Sequence, residues 1–316
     1  MNKVKIFTHT DLDGIAGAAL YLYCNNLEIT NTNIVFVEPS QIHRYIDSKN
    51  LRDSDKVVLI DLGINPNFYN VLINMDLKDI KIEWYDHHIW EKDWIDELSA
   101  RGIKLFIDTK TCASGVVANI LCSNDIKAIE FADIVCDIDL WLFRRWESNF
   151  LYRYIEIEDS DSWRYNALNM FLKTLRDMDF KWLIETSERY VEEYVDKELN
   201  ELSRLCSKIH RIKINGIDVA IYIKHHRIPG TSIIGNFVLN RCKSDIAVII
   251  NEKLKSISFR SNRYDVRDIA RRLGGGGHPR ASGAPLNINL LQKILFRLSK
   301  GLLVRYVVSE LKRINI

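Results

Sequence analysis

The sequence predicts an α/β protein with three parts: an N-terminal doubly wound, mostly parallel sheet, a helical linker, and a smaller α/β C-terminal domain. Three observations carry this prediction. Short β-rich runs alternate with helix-length stretches in the N-terminal part, Asp and His follow several of those runs directly, and a second β-rich part begins near Ile212 after long helical text. The 316 residues also suit two domains at roughly 100–200 residues each.

Lys3-Val4-Lys5-Ile6-Phe7 alternates as a strand, Thr8 to Gly14 is a polar turn, and Ile15 to Leu22 reads as a buried helix. The same grammar returns in Ile34-Val35-Phe36-Val37, in Val57-Val58-Leu59-Ile60 ending at Asp61, and in Ile80 to Tyr85 ending at Asp86-His87-His88. From about Ala128 to Leu205 the text is helical and resembles a connector, with the Glu-rich face of Trp182 to Arg204 expected in solvent. Strands are expected at Val219 to Ile223, Ile246 to Ile250 and Ser256 to Phe259, followed by a helix over Asp265 to Leu273. The run Gly274-Gly275-Gly276-Gly277 is expected as a formed loop, since ordering four glycines as strand or helix costs the most backbone entropy. These readings divide the chain into residues 1–180, a linker at 181–210, and 211–316.

Hydrophobic residues make up 47% and charged residues 27%, the balance of an ordinary folded, soluble protein. A net charge of +2 argues against a strongly basic binder of long nucleic acid, yet leaves room for a local basic patch beside an acidic site. No run approaches the roughly 18 apolar residues of a membrane span, and Met1 to Thr10 has no signal-peptide core. A cytoplasmic protein is expected, with no membrane partner. The six cysteines show no C-x-x-C pair and are expected as reduced core thiols. The tryptophans lie mostly in the helical part and are expected to pack in cores or in the linker, although one could stack on a base. His225-His226-Arg227 reads as a loop without an assigned role.

The chemistry concentrates in His9-Thr10-Asp11-Leu12-Asp13-Gly14. In an extended segment alternate side chains share a side, so His9, Asp11 and Asp13 can converge where a strand ends. An imidazole with two carboxylates is a ligand set for manganese or magnesium; the bland reading is a polar turn with Asp13 capping the next helix. Asp61 and Asp86-His87-His88 arrive at further strand ends, and open α/β sheets bind ligands at that edge. Carboxylates crowded there repel unless cations lie between them.

This ordered set, H-x-D-x-D-G, a strand-terminal Asp and then Asp-His-His, resembles the DHH phosphoesterase superfamily. Gly274 to His278, preceded by Ser258-Phe259-Arg260-Ser261, resembles the glycine-rich signature of the second domain associated with it. The motifs run from Lys3 to Gly283. The resemblance implies that His9 and Asp11 bind one divalent cation, Asp13 and His87 another, and that Asp61 bridges them. It implies that Asp86 supports the site and that His88 faces the scissile phosphate. A fourth motif should supply another Asp. By spacing Asp139 is favoured, with Asp161 and Asp137 still open.

In the second domain the resemblance implies that Gly275, Gly276, Gly277, His278 and Arg280 hold a substrate phosphate; Arg260 is a further candidate for phosphate or base. The implied activity is two-metal phosphodiester hydrolysis, with in-line attack by water between cations about 3.5–4 Å apart. The cations expected are Mn2+, with Mg2+ or Co2+ as alternatives. The substrates expected are short RNA or DNA oligonucleotides or small nucleotides, as for the family's nanoRNases. A single-strand DNA exonuclease, a small-molecule phosphatase and a catalytically silent nucleotide-binding protein are the competing readings; a homodimer is compatible with the sequence.

Overall fold

The computed structural model describes residues 4–47, 51–78, 80–251, 253–314 and 316; Lys3, the first residue of the expected opening strand, lies outside them. The chain forms two compact units, Met1–Glu192 and Glu193–Ile316.

In the first unit, strands β1 (Val4–Thr8), β2 (Thr32–Phe36), β3 (Lys56–Ile60), β4 (Lys81–Asp86) and β5 (Lys104–Ile107) form one sheet in the order β2-β1-β3-β4-β5. All its pairings are parallel. Helices α1 (Leu12–Cys24), α2 (Pro66–Asn74), α3 (Lys92–Ala100) and α4 (Ala113–Leu121) alternate with the strands. Burial on both faces explains the unbroken apolar run in β3. Val57 and Leu59 join Phe68, Leu72, Trp84 and Leu98 in one core, while Val58 and Ile60 are buried on the opposite face. Each fully buried side chain of this kind contributes about 1.5–3 kcal/mol.

Helices α5 (Ile126–Asp139), α6 (Trp146–Ile155) and α7 (Asp161–Arg176) continue the same unit. The expected connector is therefore corrected over this span, because its helices carry their own apolar faces. Phe131 packs edge-on against Phe171, Leu168 is fully buried, and the Tyr165 hydroxyl donates to the Ile34 carbonyl of β2 at 2.6 Å. Only α8 (Phe180–Lys208) runs on, as a single helix through the division at Glu192 and Glu193 rather than as a segment ending at it.

The second unit contains β6 (His210–Ile214), β7 (Ile217–Ile223), α9 (Thr231–Asn240), β8 (Ile246–Ile250), β9 (Ser256–Arg260), α10 (Val266–Arg272), β10 (Gly276–His278), β11 (Ala281–Pro285), α11 (Leu290–Leu298) and α12 (Lys300–Arg313). Its six-stranded sheet runs β10-β11-β9-β8-β7-β6, with β7 and β8 parallel and the other pairs antiparallel. Val219, Ile221, Val248 and Ile250 face one core with Leu303 and Val307. Ala220, Tyr222 and Ile249 face another with Ile234 and Val238.

The cysteines depart from expectation. All six are paired, as Cys24–Cys122, Cys112–Cys136 and Cys206–Cys242. The partners come from different elements 24 to 98 residues apart, so linear spacing held no sign of them. Cysteine spacing consequently gives no support to a reducing compartment. Among the described residues, no helix is long and apolar enough to cross a membrane.

Candidate metal centre

Strand register builds the centre. Thr8 pairs with Ile60 and Ile60 with Tyr85, so the next residues, His9, Asp61 and Asp86, stand level at the carboxyl ends of β1, β3 and β4. The ladder continues past the strands: His9 N–H donates to Ile60 O at 3.3 Å and Asp61 N–H to Tyr85 O at 3.0 Å. The strand order reverses between β1 and β3, the place where open α/β sheets take ligands.

Three groups of ligand atoms assemble here, each within 4.8 Å: His9, Asp11 and Asp61; Asp13, His87 and Asp139; and Asp61, Asp86 and His88. His9 Nδ1 lies 2.9 Å from Asp11 Oδ2 and 3.0 Å from Asp61 Oδ2. His87 Nε2 lies 3.4 Å from Asp61 Oδ1, 3.6 Å from Asp139 Oδ2 and 3.9 Å from Asp13 Oδ2. The two oxygens of Asp61 thus face two different groups. Asp61 is buried and its backbone is left-handed, with φ of 54°. Asp tolerates that conformation better than most residues, but at some strain.

Asp11 caps α1, its carboxylate accepting from Gly14 N–H at 3.1 Å. A side chain at Gly14 would collide with the His9 carbonyl, its Cβ falling 2.5 Å from that oxygen. Asp13 does not cap its own helix. Its oxygens accept from Ala113 and Ser114 N–H at 2.7 and 2.8 Å, at the start of α4, whose own N-cap Cys112 makes no side-chain cap bond.

The fourth-motif candidates separate cleanly. Asp137 is buried on the other side of α5, where it accepts from Arg144 N–H at 3.0 Å and Arg145 N–H at 3.0 Å. Asp161 is 67% exposed and pairs with Arg164 at 2.8 Å. Asp139 reaches His87. Its buried Oδ2 accepts no hydrogen bond among the described residues, as expected of an oxygen shaped for a cation.

The electrostatics agree with the donor set. Burial raises Asp13 well above the carboxylate range, helped by Asp61 and Asp139. Burial likewise raises Asp139, to about 7, against the pull of His87. Burial opposes the charge on His87, yet its bond with Asp61 and the Asp139 charge raise it to about 11. Asp61 is held well below its usual range despite burial, by His87 and His9. In these side chains alone, protons neutralise the crowd. Hard divalent cations would do the same for a carboxylate and imidazole cluster, so the residues fit such ions.

His88 is positioned separately. Its Nδ1 lies 2.8 Å from Asp86 Oδ1, and Asp86 Oδ2 accepts from Trp90 Nε1 at 2.7 Å. Burial opposes the imidazolium, but Asp86 raises His88 to about 9. Sequence reasoning missed Glu38, just beyond β2. Its carboxylate accepts from Thr10 Oγ1 at 2.6 Å and lies 3.6 Å from His9 Nε2. Its place directly after Val37, at a strand end, was the available signal.

In the second unit the expected glycine loop is corrected. Gly274 (φ 81°) ends α10, and Gly276–His278 is an edge strand paired with β11. The sheet offsets the glycines' entropy cost, and space explains the residue type. At Gly277, with φ of 129°, a Cβ would fall 2.7 Å from the Ala281 oxygen. His278 and Arg260 both pair with Ala281, so their side chains share one face of the sheet with a small residue between them. Arg260 also donates to Ser232 Oγ at 3.1 Å, and the exposed Arg280 to the Tyr264 carbonyl at 3.3 Å.

Residues 211–301 match the DHHA1 domain family. The chain is 21% identical over 299 residues to the oligoribonuclease NrnB of Bacillus subtilis (strain 168), covering 89% of this chain and 72% of that protein. It superposes on the pGpG-specific phosphodiesterase PggH of Vibrio cholerae with a TM-score of 0.55 at 16% identity, over 99% of both chains. It superposes on RecJ of Thermus thermophilus in complex with Mn2+ with a TM-score of 0.61 at 14% identity, over 90% of this chain and 50% of that one. The second unit thus matches a DHHA1 domain over residues 211–301, and the ordered His-Asp and Asp-His-His motifs on one sheet edge of the first unit resemble those of the DHH phosphoesterases.

Proposed function

We infer that the protein is a metal-dependent phosphodiesterase of exonuclease type, hydrolysing short oligonucleotides to mononucleotides. NanoRNA, linear dinucleotides and 3′-phosphoadenosine 5′-phosphate are the proposed substrates. The observation that supports this is Asp61, whose two oxygens serve two separate groups of ligand atoms. His9 and Asp11 would hold one divalent cation, Asp13, His87 and Asp139 a second, and Asp61 would be common to both. Manganese suits this mixture of imidazole and carboxylate. Such cations supply Lewis acidity toward phosphoryl oxygens and lower the pKa of water at the site.

The chain's own groups have distinct parts. Asp86 fixes His88 through Nδ1 and favours its protonated form, in which the other nitrogen can donate to a phosphate oxygen. Asp13, held by the start of α4, keeps its carboxylate in place before any substrate arrives. On the second unit, Arg260, His278 and Arg280 would bind a substrate phosphate, and Gly275, Gly276 and Gly277 keep that edge bare enough for close approach. The oligoribonuclease NrnB and the phosphodiesterase PggH support substrates of this class.

The test is release of mononucleotides from end-labelled RNA and DNA of graded length with manganese, comparing the wild type with His87→Ala. Cleavage confined to the shortest chains and lost in the variant is expected. Equal attack on long single-stranded DNA would make the protein a DNA exonuclease instead. No cleavage by the wild type would remove the phosphodiesterase reading.

A further inference from the structure

Directly after Asp139 the chain enters Leu140-Trp141-Leu142-Phe143-Arg144-Arg145, which joins α5 to Trp146 at the start of α6. Apolar side chains are expected inside, yet Trp141 is 36% exposed, Leu142 44%, Phe143 37% and Trp146 62%. The expectation that the tryptophans serve cores is therefore corrected for two of them. Trp141 and Phe143 also have left-handed backbones, with φ of 60° and 53°. For bulky aromatic residues that conformation is a genuine outlier and costs about 1–3 kcal/mol at each position.

The loop is nonetheless firmly held. Trp141 N–H donates to Ile138 O at 3.0 Å and Leu142 N–H to Asp137 O at 2.8 Å, folding the segment back on the last turn of α5. The buried Asp137 carboxylate takes the backbone N–H groups of Arg144 and Arg145 on the far side. The rings of Trp141 and Phe143 meet edge to face, with centroids 4.5 Å apart and planes at 82°. Two strained, exposed aromatic residues are thus clamped close to Asp139, Trp141 within about 7 Å of backbone.

We propose that Trp141 and Phe143 form a stacking platform for a nucleobase of the substrate. This rests on the phosphodiesterase reading and adds the feature that recognises the base. A nucleobase lies one sugar away from its phosphate, so a base joined to a phosphate at the Asp139 group lies within reach of this loop, which begins at the next residue. Rigid aromatic side chains suit that partner, because every base offers a π-face and little entropy remains to be lost. The Arg144 guanidinium donates its Nε to Asp137 at 3.3 Å, and on a side chain 73% exposed its terminal nitrogens stand at the same loop for a second phosphate. Stacking carries no hydrogen-bond readout. The platform therefore predicts hydrolysis that tolerates any base but requires one.

The test is calorimetric binding, with manganese, of two non-hydrolysable dinucleotides whose bridging oxygen is a methylene: one with both bases and one with a base replaced by hydrogen. The wild type should bind the complete analogue about 5- to 150-fold more tightly, the range given by 1–3 kcal/mol of stacking. Trp141→Ala should lose that advantage and bind both analogues alike, while Trp141→Phe should keep most of it. Equal binding of both analogues by the wild type would overturn the platform, as would equal weakening of both by Trp141→Ala. Turnover of an ordinary dinucleotide, measured beside it, separates the two ideas. Absent turnover with an intact base preference sinks the catalytic reading and leaves the platform standing.

Discussion

Trp90 donates its indole N–H to Asp86 at 2.7 Å, occupying the carboxylate oxygen that His88 leaves over. Trp90→Phe keeps a ring against Trp84, whose centroid is 4.5 Å away, but strands a buried acceptor. That costs about 1–3 kcal/mol of stability. With Asp86 less constrained, kcat should fall about 10-fold while KM holds, as for other residues that orient a site's ligands. Steady-state kinetics with thermal unfolding reads both. An unchanged kcat would mean that Asp86 needs no help in holding His88.

Asp139→Asn should have opposite effects with and without cation. In chelator it removes a carboxylate that burial and Asp61 disfavour, so the melting temperature should rise. With manganese at a hundredfold its dissociation constant, the wild type should gain about 2.7 kcal/mol, and the variant far less. Asp161→Asn should behave as wild type in both scans. A retained shift in Asp139→Asn with a lost one in Asp161→Asn would reverse the assignment.

Asp137 gives a pH-dependent prediction. Burial works against its charge, but the Arg145 and Arg144 N–H groups hold its pKa below the usual value. A depressed carboxylate stabilises the fold above the unfolded pKa of about 3.9, and that stability is lost as pH falls through the folded value. Asp137→Asn should therefore be about 1–3 kcal/mol less stable at pH 7. The gap to the wild type should close below about pH 4 in denaturant titrations. A gap unchanged down to about pH 2 would mean that the carboxylate's charge is not what matters.

The paired cysteines predict a redox dependence. Cys112–Cys136 ties the start of α4, where Asp13 is held, to the turn of α5 that ends in Asp139. Reduction should lower stability by roughly 3–5 kcal/mol per bridge in the chain-entropy account, and should weaken the stabilisation by manganese. The unreduced protein, unfolded in guanidinium, should present no thiol to a thiol reagent. Six reactive thiols would show that the bridges do not form.

The strand-end residues are legible in the sequence because each follows its apolar run directly, and parallel register carries His9, Asp61 and Asp86 to one level. Spacing favours Asp139 and leaves Asp137 open, but a helix separates the two. Two residues apart is about 200° around the axis, so one carboxylate meets the loop and the other the imidazole. Glycine entropy argues against a strand at Gly276–His278, and the contact of Gly277 with Ala281 and Ser282 outweighs it. Trp141 reads as core in the sequence because periodicity registers an apolar residue and not the left-handed turn that keeps it outside.

The backbone of Asp61 decides how its side chain should be removed. At φ of 54°, asparagine can stand with little added strain, whereas alanine adds a left-handed penalty to the loss of the carboxylate. Asp61→Asn is therefore the clean probe of the shared oxygens, and Asp61→Gly would release backbone strain while removing the same group. Comparing the three separates two contributions that a single alanine variant would merge: the conformational tension stored at the tip of β3, and the charge and reach of the two carboxylate oxygens it presents.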